Sequence, residues 1–257
     1  AGAAHQSRRY DDGAIEDTRR RVLGTLASCY DFFALYAGTE GWTLEQKTQA
    51  RPRPERSALD RWILDRLDGT AIACAAAWEN LEPHLAARAL DSLIVDHLSN
   101  WYVRRSRPRF WGGTNRPDQL DAFATLHEVL ETVCRLCAPI APFLAEDLAR
   151  RLLPDGGSVH IRDFPVPAGR ESGATPLECA LQPVLDAAKL GRARREKASI
   201  RTRQPLQRLT ILLPNLGHFK AFPHLPSPMN FERELMDELN VKEIVWEEDP
   251  EAAGVRT

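Results

Sequence analysis

The chain has 257 residues, 43% apolar and 27% charged, with 34 basic and 36 acidic side chains that leave a formal net charge of −2. The length suits one large or two modest globular domains. No apolar run reaches the length that spans a bilayer, and the polar residues 1–12 lack the apolar segment of a signal peptide. Five cysteines, odd in number and scattered, fit a reduced cytoplasmic setting better than a disulfide framework. These features exclude a membrane protein and a disulfide-stapled secreted domain as expectations.

In chain order, residues 1–12 read as a disordered lead-in. Ile15, Val22, Leu26, Cys29, Phe33 and Tyr36 then recur at helical spacing, with Gly38 and Gly41 to end the helix. Arg51-Pro52-Arg53-Pro54 forbids helix and predicts a loop. Ser57 is placed to cap a second helix whose apolar face carries Leu59, Trp62, Ile63, Leu67, Cys74, Trp78 and Leu81. Pro83 opens a third helix with Leu90, Ile94, Leu98 and Trp101 on one side, expected to stop near Pro108. Phe123, Leu126, Leu130, Val133 and Cys137 mark a fourth. Ala138-Pro139-Ile140-Ala141-Pro142-Phe143 must kink or restart it, and Leu144, Leu148 and Leu152 continue on a new axis. Helices of this kind with short connections predict a mainly α fold, an antiparallel helical bundle over residues 13–165.

The pattern changes at Pro154. Residues 154–176 are rich in Pro and Gly, with one extended piece expected at Ser158–Phe164. An Arg-rich helix follows from about Leu177 to Lys197. Two β-like runs, Gln207–Leu213 and Val241–Trp246, flank a short helix with Phe231, Leu235 and Leu239 four apart. Residues 166–257 therefore read as a small α+β domain. No internal repeat is present.

Near-neutrality hides a strongly uneven charge. Arg104, Arg105, Arg107 and Arg109 fall within six residues with no acid among them. Lys189, Arg192, Arg194, Arg195, Lys197, Arg201 and Arg203 form a second basic run offset by Glu196 alone, whereas Glu232–Glu251 is acidic. Both basic runs are candidate anion-binding surfaces. The first is interleaved with Trp101, Tyr102, Phe110 and Trp111. RNA loops are held in this way, by splayed bases stacked on rings and phosphates on cations. The competing reading is a helix end with its rings in the core and its arginines in water, and Trp101 falls on the apolar stripe. The candidate RNA-binding residues are therefore Tyr102, Arg104, Arg105, Arg107, Arg109, Phe110 and Trp111, with Lys189, Arg192, Arg195, Lys197, Arg201 and Arg203 in the second run. For that run a solvated, charged helix stands as an equal alternative.

Other motifs carry less. Cys134-Arg135-Leu136-Cys137 is a lone CxxC inside an apolar stripe, without the second ligand pair of a zinc site, and reads as core. His127-Glu128 lacks the second histidine of a metalloprotease helix. No catalytic or metal-binding residue is expected.

The run Ser99-Asn100-Trp101-Tyr102-Val103-Arg104-Arg105-Ser106-Arg107, ending in Arg109-Phe110-Trp111, closely resembles a helix of the isoleucyl-tRNA synthetase family. Leu59-Asp60-Arg61-Trp62-Ile63, Ala122-Phe123-Ala124-Thr125-Leu126, the Pro-kinked Ala138–Phe143, Ser158-Val159-His160-Ile161, Arg203-Gln204-Pro205-Leu206 and Glu238-Leu239-Asn240-Val241-Lys242-Glu243 resemble the same family, in order, over roughly residues 13–247. The resemblance implies the anticodon-binding bundle and C-terminal junction of such an enzyme, with tRNA(Ile) as partner alongside the catalytic and editing domains of the parent chain. The family's His-Ile-Gly-His and Lys-Met-Ser-Lys-Ser signatures are absent. ATP with Mg is accordingly expected only in the parent's catalytic domain, no cofactor in this chain, and no adenylation by this chain alone. The equivalent region of a valyl-type enzyme, and a helical interaction module without an RNA role, remain as alternatives. Arg104-Arg105 argues against the valyl type.

Overall fold

The computed structural model describes residues 11–111, 116–153, 157–165, 167, 173–214, 216–221 and 226–248. They form two compact units, Ala1–Gly173 and Ala174–Thr257; the expected boundary lay at 165/166. Residues 1–10 of the expected lead-in lie outside the described residues, but its last two positions are structured. Asp11 accepts the Gly13 and Ala14 amides (2.9 and 3.2 Å) and starts helix α1, Asp12–Thr18.

In the first unit α1 runs through a π-helical turn, Arg19–Leu23, into α2, Gly24–Glu40. Leu26, Cys29 and Phe33 are buried as their spacing predicts, but Ile15 is 54% exposed and no residue of α1 is buried. Gly38 does not end the helix. Gly41 does, at φ +65°, a left-handed conformation that a side chain would resist. The Arg-Pro-Arg-Pro loop is held down by ion pairs: Arg51 to Asp121 (2.6 Å), and Arg53 to both Asp68 (2.9 Å) and Glu128.

Ser57 caps α3, Ala58–Glu79, by accepting the Asp60 amide (3.2 Å). Trp62, Ile63, Leu67 and Cys74 are buried; Leu81 is not, because it sits past the helix end in a left-handed turn (φ 56°). Asn80–Glu82 brings α4, Pro83–Asp91, back against α3. The chain continues through a 12-residue π-helical stretch, Ser92–Val103, into α5, Arg104–Phe110. Pro108, expected as a stop, lies inside α5. α6, Arg116–Cys137, is the centre of the unit: Phe123, Leu126, Leu130 and Val133 are fully buried, and α6 packs against α2, α3, α5 and α7. Pro142 starts α7, Pro142–Leu152. The extended piece expected at Ser158–Phe164 is instead a 3-10 turn, Val159–Ile161, because the Val159 amide and the Ser158 hydroxyl both turn inward to the Glu146 carboxylate (2.9 and 3.0 Å).

The second unit is α+β. A capping box, Thr175 with Glu178, starts α8, Pro176–Lys197. Strands β1, Leu209–Leu212, and β2, Ile244–Glu247, pair in parallel with Leu209 opposite Ile244. Between them lie α9, Leu216–Ala221, which the sequence pattern does not announce, and α10, Glu232–Leu239. Phe231, Leu235 and Leu239 are buried. α8 packs closely on α10 at Gly191, where a Cβ would fall 2.6 Å from Leu239 Cδ1. Among the described residues no helix is long and apolar enough to cross a membrane.

Candidate nucleic-acid interface

The segment Leu98–Trp111 sorts into two faces. Leu98, Tyr102, Ser106 and Phe110, four apart, are buried together with Trp101. Arg104, Arg107 and Pro108 face outward, with Arg105 half-buried. Trp111 ends the helix in an extended conformation and remains 43% exposed. Its ring lies 5.4 Å from Tyr36, which is 4.8 Å from Phe32, and the Arg107 guanidinium sits 6.0 Å above the Phe32 ring. The result is a row of half-open rings bordered by cations. Phe32 and Tyr36 come from α2, where they stand one turn apart beside the buried Phe33 stripe. The apolar periodicity passes over Phe32 and assigns Tyr36 to the core; their i, i+4 spacing on a face next to Phe33 is the signal that marks them as a pair.

Three of the expected RNA contacts in this segment are structural instead. Tyr102 is fully buried and donates its hydroxyl to Asp60 (2.6 Å). Phe110 is fully buried against Phe32 and Phe123, with ring centroids 5.1 and 5.0 Å away. Arg109 turns inward to pair bidentately with Asp60 (2.9 and 2.7 Å) and with Asp118 (2.8 Å). Asp60 is 0% exposed, so its charge depends on that pairing. Burial alone would raise its carboxyl, but the Arg109 ion pair, with the Tyr102 and Ser57 hydroxyls, holds it below the usual carboxylate range. Burial works against the Arg109 charge too, and Asp60 again reverses the balance, raising it. Burial and then the Asp60 charge push the Tyr102 phenol well up, so it stays a neutral donor.

Two histidines and the CxxC are likewise interior. His97, on the π stretch, packs against Trp62 and Arg66, and burial followed by the Arg66 charge lowers it to about 4. His127 is lowered by burial and then by Lys47. Cys134 and Cys137 are buried; burial pushes Cys134 up to about 12 and Cys137 further. Both side chains belong to the apolar interior of α6.

The second basic run divides in the same way. Lys189, Arg194, Lys197, Arg201 and Arg203 are exposed. Arg195, expected to contact RNA, is buried and donates to four carbonyls: Arg201 (3.1 Å), Gln204 (3.0 Å), Leu239 (2.6 Å) and Asn240 (3.2 Å). It ties the α8 end to the following loop and to the carbonyl end of α10, where a cation is also favoured by the helix dipole. Arg192, half-buried, is engaged by the buried Glu238 (2.5 Å). Among the described residues no cluster of three His, Cys, Asp or Glu side chains could hold a metal ion.

The first unit is thus a helical bundle that presents half-open rings and outward cations at one helix end. Residues 60–211 match the family described as the anticodon-binding domain of tRNA ligase, and the chain belongs to that family. The chain is similar to the isoleucine--tRNA ligase of Bacteroides fragilis, 38% identical over 257 aligned residues that cover 96% of this chain and 21% of the relative. It is also similar to those of Porphyromonas gingivalis, 35% identical over 94% of the chain and 20% of the relative, and Dehalococcoides mccartyi, 34% identical over 94% and 23%. The chain thus spans about a fifth of the length of these curated relatives.

Proposed function

We propose that the chain binds tRNA(Ile) around the anticodon stem-loop, in the cytoplasm, as the recognition part of an isoleucine–tRNA ligase. The observation that carries this reading is the exposed face Arg104–Arg107–Trp111 with Phe32 and Tyr36 alongside. Loop nucleotides expose base faces to rings and base edges to guanidinium groups, which an A-form stem does not offer. Lys189, Lys197, Arg201 and Arg203 would supply phosphate contacts that fix register while loop contacts specify. The similarity to isoleucine--tRNA ligases favours tRNA(Ile) over the valyl counterpart. ATP, Mg and the adenylation chemistry belong, in this reading, to other domains of the parent enzyme.

The test is a competition titration at one fixed salt concentration. A tRNA(Ile) transcript with a changed anticodon should compete several-fold to a hundred-fold more weakly than the natural one, and combined substitution of Arg104, Arg107 and Trp111 should shrink that difference. Equal competition by both transcripts against the folded protein would reduce the face to a non-specific phosphate clamp.

A further inference from the structure

The second unit holds an open strand edge beside an apolar groove. The Leu209 amide at the start of β1 and the Leu213 amide just past its end donate to the Glu243 and Glu247 carbonyls (2.9 and 2.8 Å). The intervening amides of Thr210 and Leu212 therefore point to the opposite edge, where no strand pairs among the described residues. Parallel sheets are ordinarily covered, and an open edge is a template for another strand. Between this edge and α8 runs a groove of about 830 Å³, its apolar lining including Leu190, Ile200, Leu206, Leu209 and Ile211. Leu190 is 65% exposed although it lines an apolar surface. At the groove's rim stand Arg194 and Lys197, one turn apart and exposed, with no carboxylate ion-paired to either among the described residues.

We propose that this groove is a docking site for an extended, acidic polypeptide segment. The segment adds as a third strand along β1, exchanging main-chain hydrogen bonds with Thr210 and Leu212. Alternate apolar side chains fill the groove, and Asp or Glu side chains meet Arg194 and Lys197. The same recognition logic, main-chain bonds for affinity and alternate pockets for specificity, operates wherever a peptide extends a sheet. The lining favours a peptide over RNA. Its floor is aliphatic, with no ring on which a base could stack, and an open strand edge matches a peptide main chain, not a phosphodiester. The inference goes beyond tRNA binding: it shares Lys197 with the phosphate contacts proposed above and adds Arg194 and the strand edge, which that reading does not use.

The experiment selects octapeptides from a random phage-displayed library on the 257-residue chain, then titrates the best synthetic peptide. Enriched peptides should alternate apolar residues and carry at least one Asp or Glu. Binding should weaken more than tenfold with Arg194→Glu, a variant that should keep the difference in affinity between natural and anticodon-changed tRNA(Ile) transcripts. An alternately N-methylated version of the same peptide, which tests strand pairing without altering the protein, should also bind more than tenfold more weakly, and the natural peptide should slow hydrogen exchange at Thr210 and Leu212. Absence of enrichment, enrichment of peptides without acidic residues, full binding by the N-methylated peptide, or protection of the Thr210 and Leu212 amides by tRNA would each overturn the proposal.

Discussion

Each basic run turns one arginine fully inward, Arg109 in the first and Arg195 in the second, and the two are held differently. Arg109 is drawn to carboxylates, Asp60 and Asp118, so that burial neutralises opposite charges against each other. Arg195 is drawn to four backbone carbonyls, so its charge meets dipoles and serves to close a loop and a helix end. The planar guanidinium fork makes both arrangements geometrically accessible, which a lysine would not. A local count of basic residues therefore overstates the anion-binding surface. The neighbours of these two arginines, Arg104 and Arg107 in one run and Arg194 and Lys197 in the other, are the ones that face outward.

The sharpest way to break this contrast is to remove each buried guanidinium. Arg109→Ala leaves Asp60 charged and buried, and should cost about 3–5 kcal/mol of stability in urea unfolding, the range for breaking a buried pair. Asp60→Asn together with Arg109→Met should recover part of that loss, because no fully buried charge is then stranded; a double variant as unstable as the single one would show that packing, not charge, is the cause. Acidification should come next in size. His97 is lowered from 6.5 to about 4 in the folded chain. Its neutral form contributes stability that is fully present above the unfolded value and is lost as pH falls from about 6.5 towards 4, where the unfolded chain binds the extra proton. The loss should reach roughly 3 kcal/mol, and His97→Gln should flatten that part of the pH profile.

Arg195→Ala should cost less, about 2 kcal/mol, because the carbonyls it abandons are less costly to leave than a carboxylate. The measurable signature is faster hydrogen exchange at the α8–α10 junction, with residues of the first unit unaffected. The smallest effect on stability should come from Arg104→Ala with Arg107→Ala. Their melting should fall less than that of Arg109→Ala or Arg195→Ala, yet the slope of log affinity for tRNA against log salt should fall by roughly 0.7 for each phosphate left without its cation. Early unfolding of this pair would erase the distinction between inward and outward arginines.

The bundle is legible in the sequence because its core residues recur at helical spacing: Leu90, Ile94, Leu98 and Trp101, and Phe123 to Cys137, are buried as that spacing predicts. Ser57 announces its cap. The site is only half legible. Spacing alone does not tell which arginine in Arg104–Arg109 meets a buried acid, since Asp60 lies 49 residues away in sequence. Tyr102 and Phe110 look like RNA contacts because they adjoin arginines, although they continue the four-residue stripe of Leu98 into the core. Phe32 and Tyr36 escape notice as surface residues because α2 carries a second aromatic face beside its buried one. The turn at Val159–Ile161 has only Ser158 as a local signal, its hydroxyl accepting the His160 amide (3.3 Å), and is otherwise set by the contact to Glu146.

The π-helical stretch Ser92–Val103 explains how one helix keeps its core and its surface in phase. An α-helix repeats every 3.6 residues, so a stripe at intervals of four drifts around its axis by roughly 40° per step. The i→i+5 bonding of a π-helix takes more residues per turn and drifts the other way. Leu90, Ile94, Leu98, Tyr102, Ser106 and Phe110 are six positions four apart, all buried, spanning α4, the π stretch and α5. The wide turns act as a vernier between two pitches. Loss or gain of a single residue within Ser92–Val103 would rotate everything beyond it by about 100°. Arg109 would then swing off Asp60 at the same moment that Arg104, Arg107 and Trp111 leave the open face, so the segment's length is held by its core and by its surface at once.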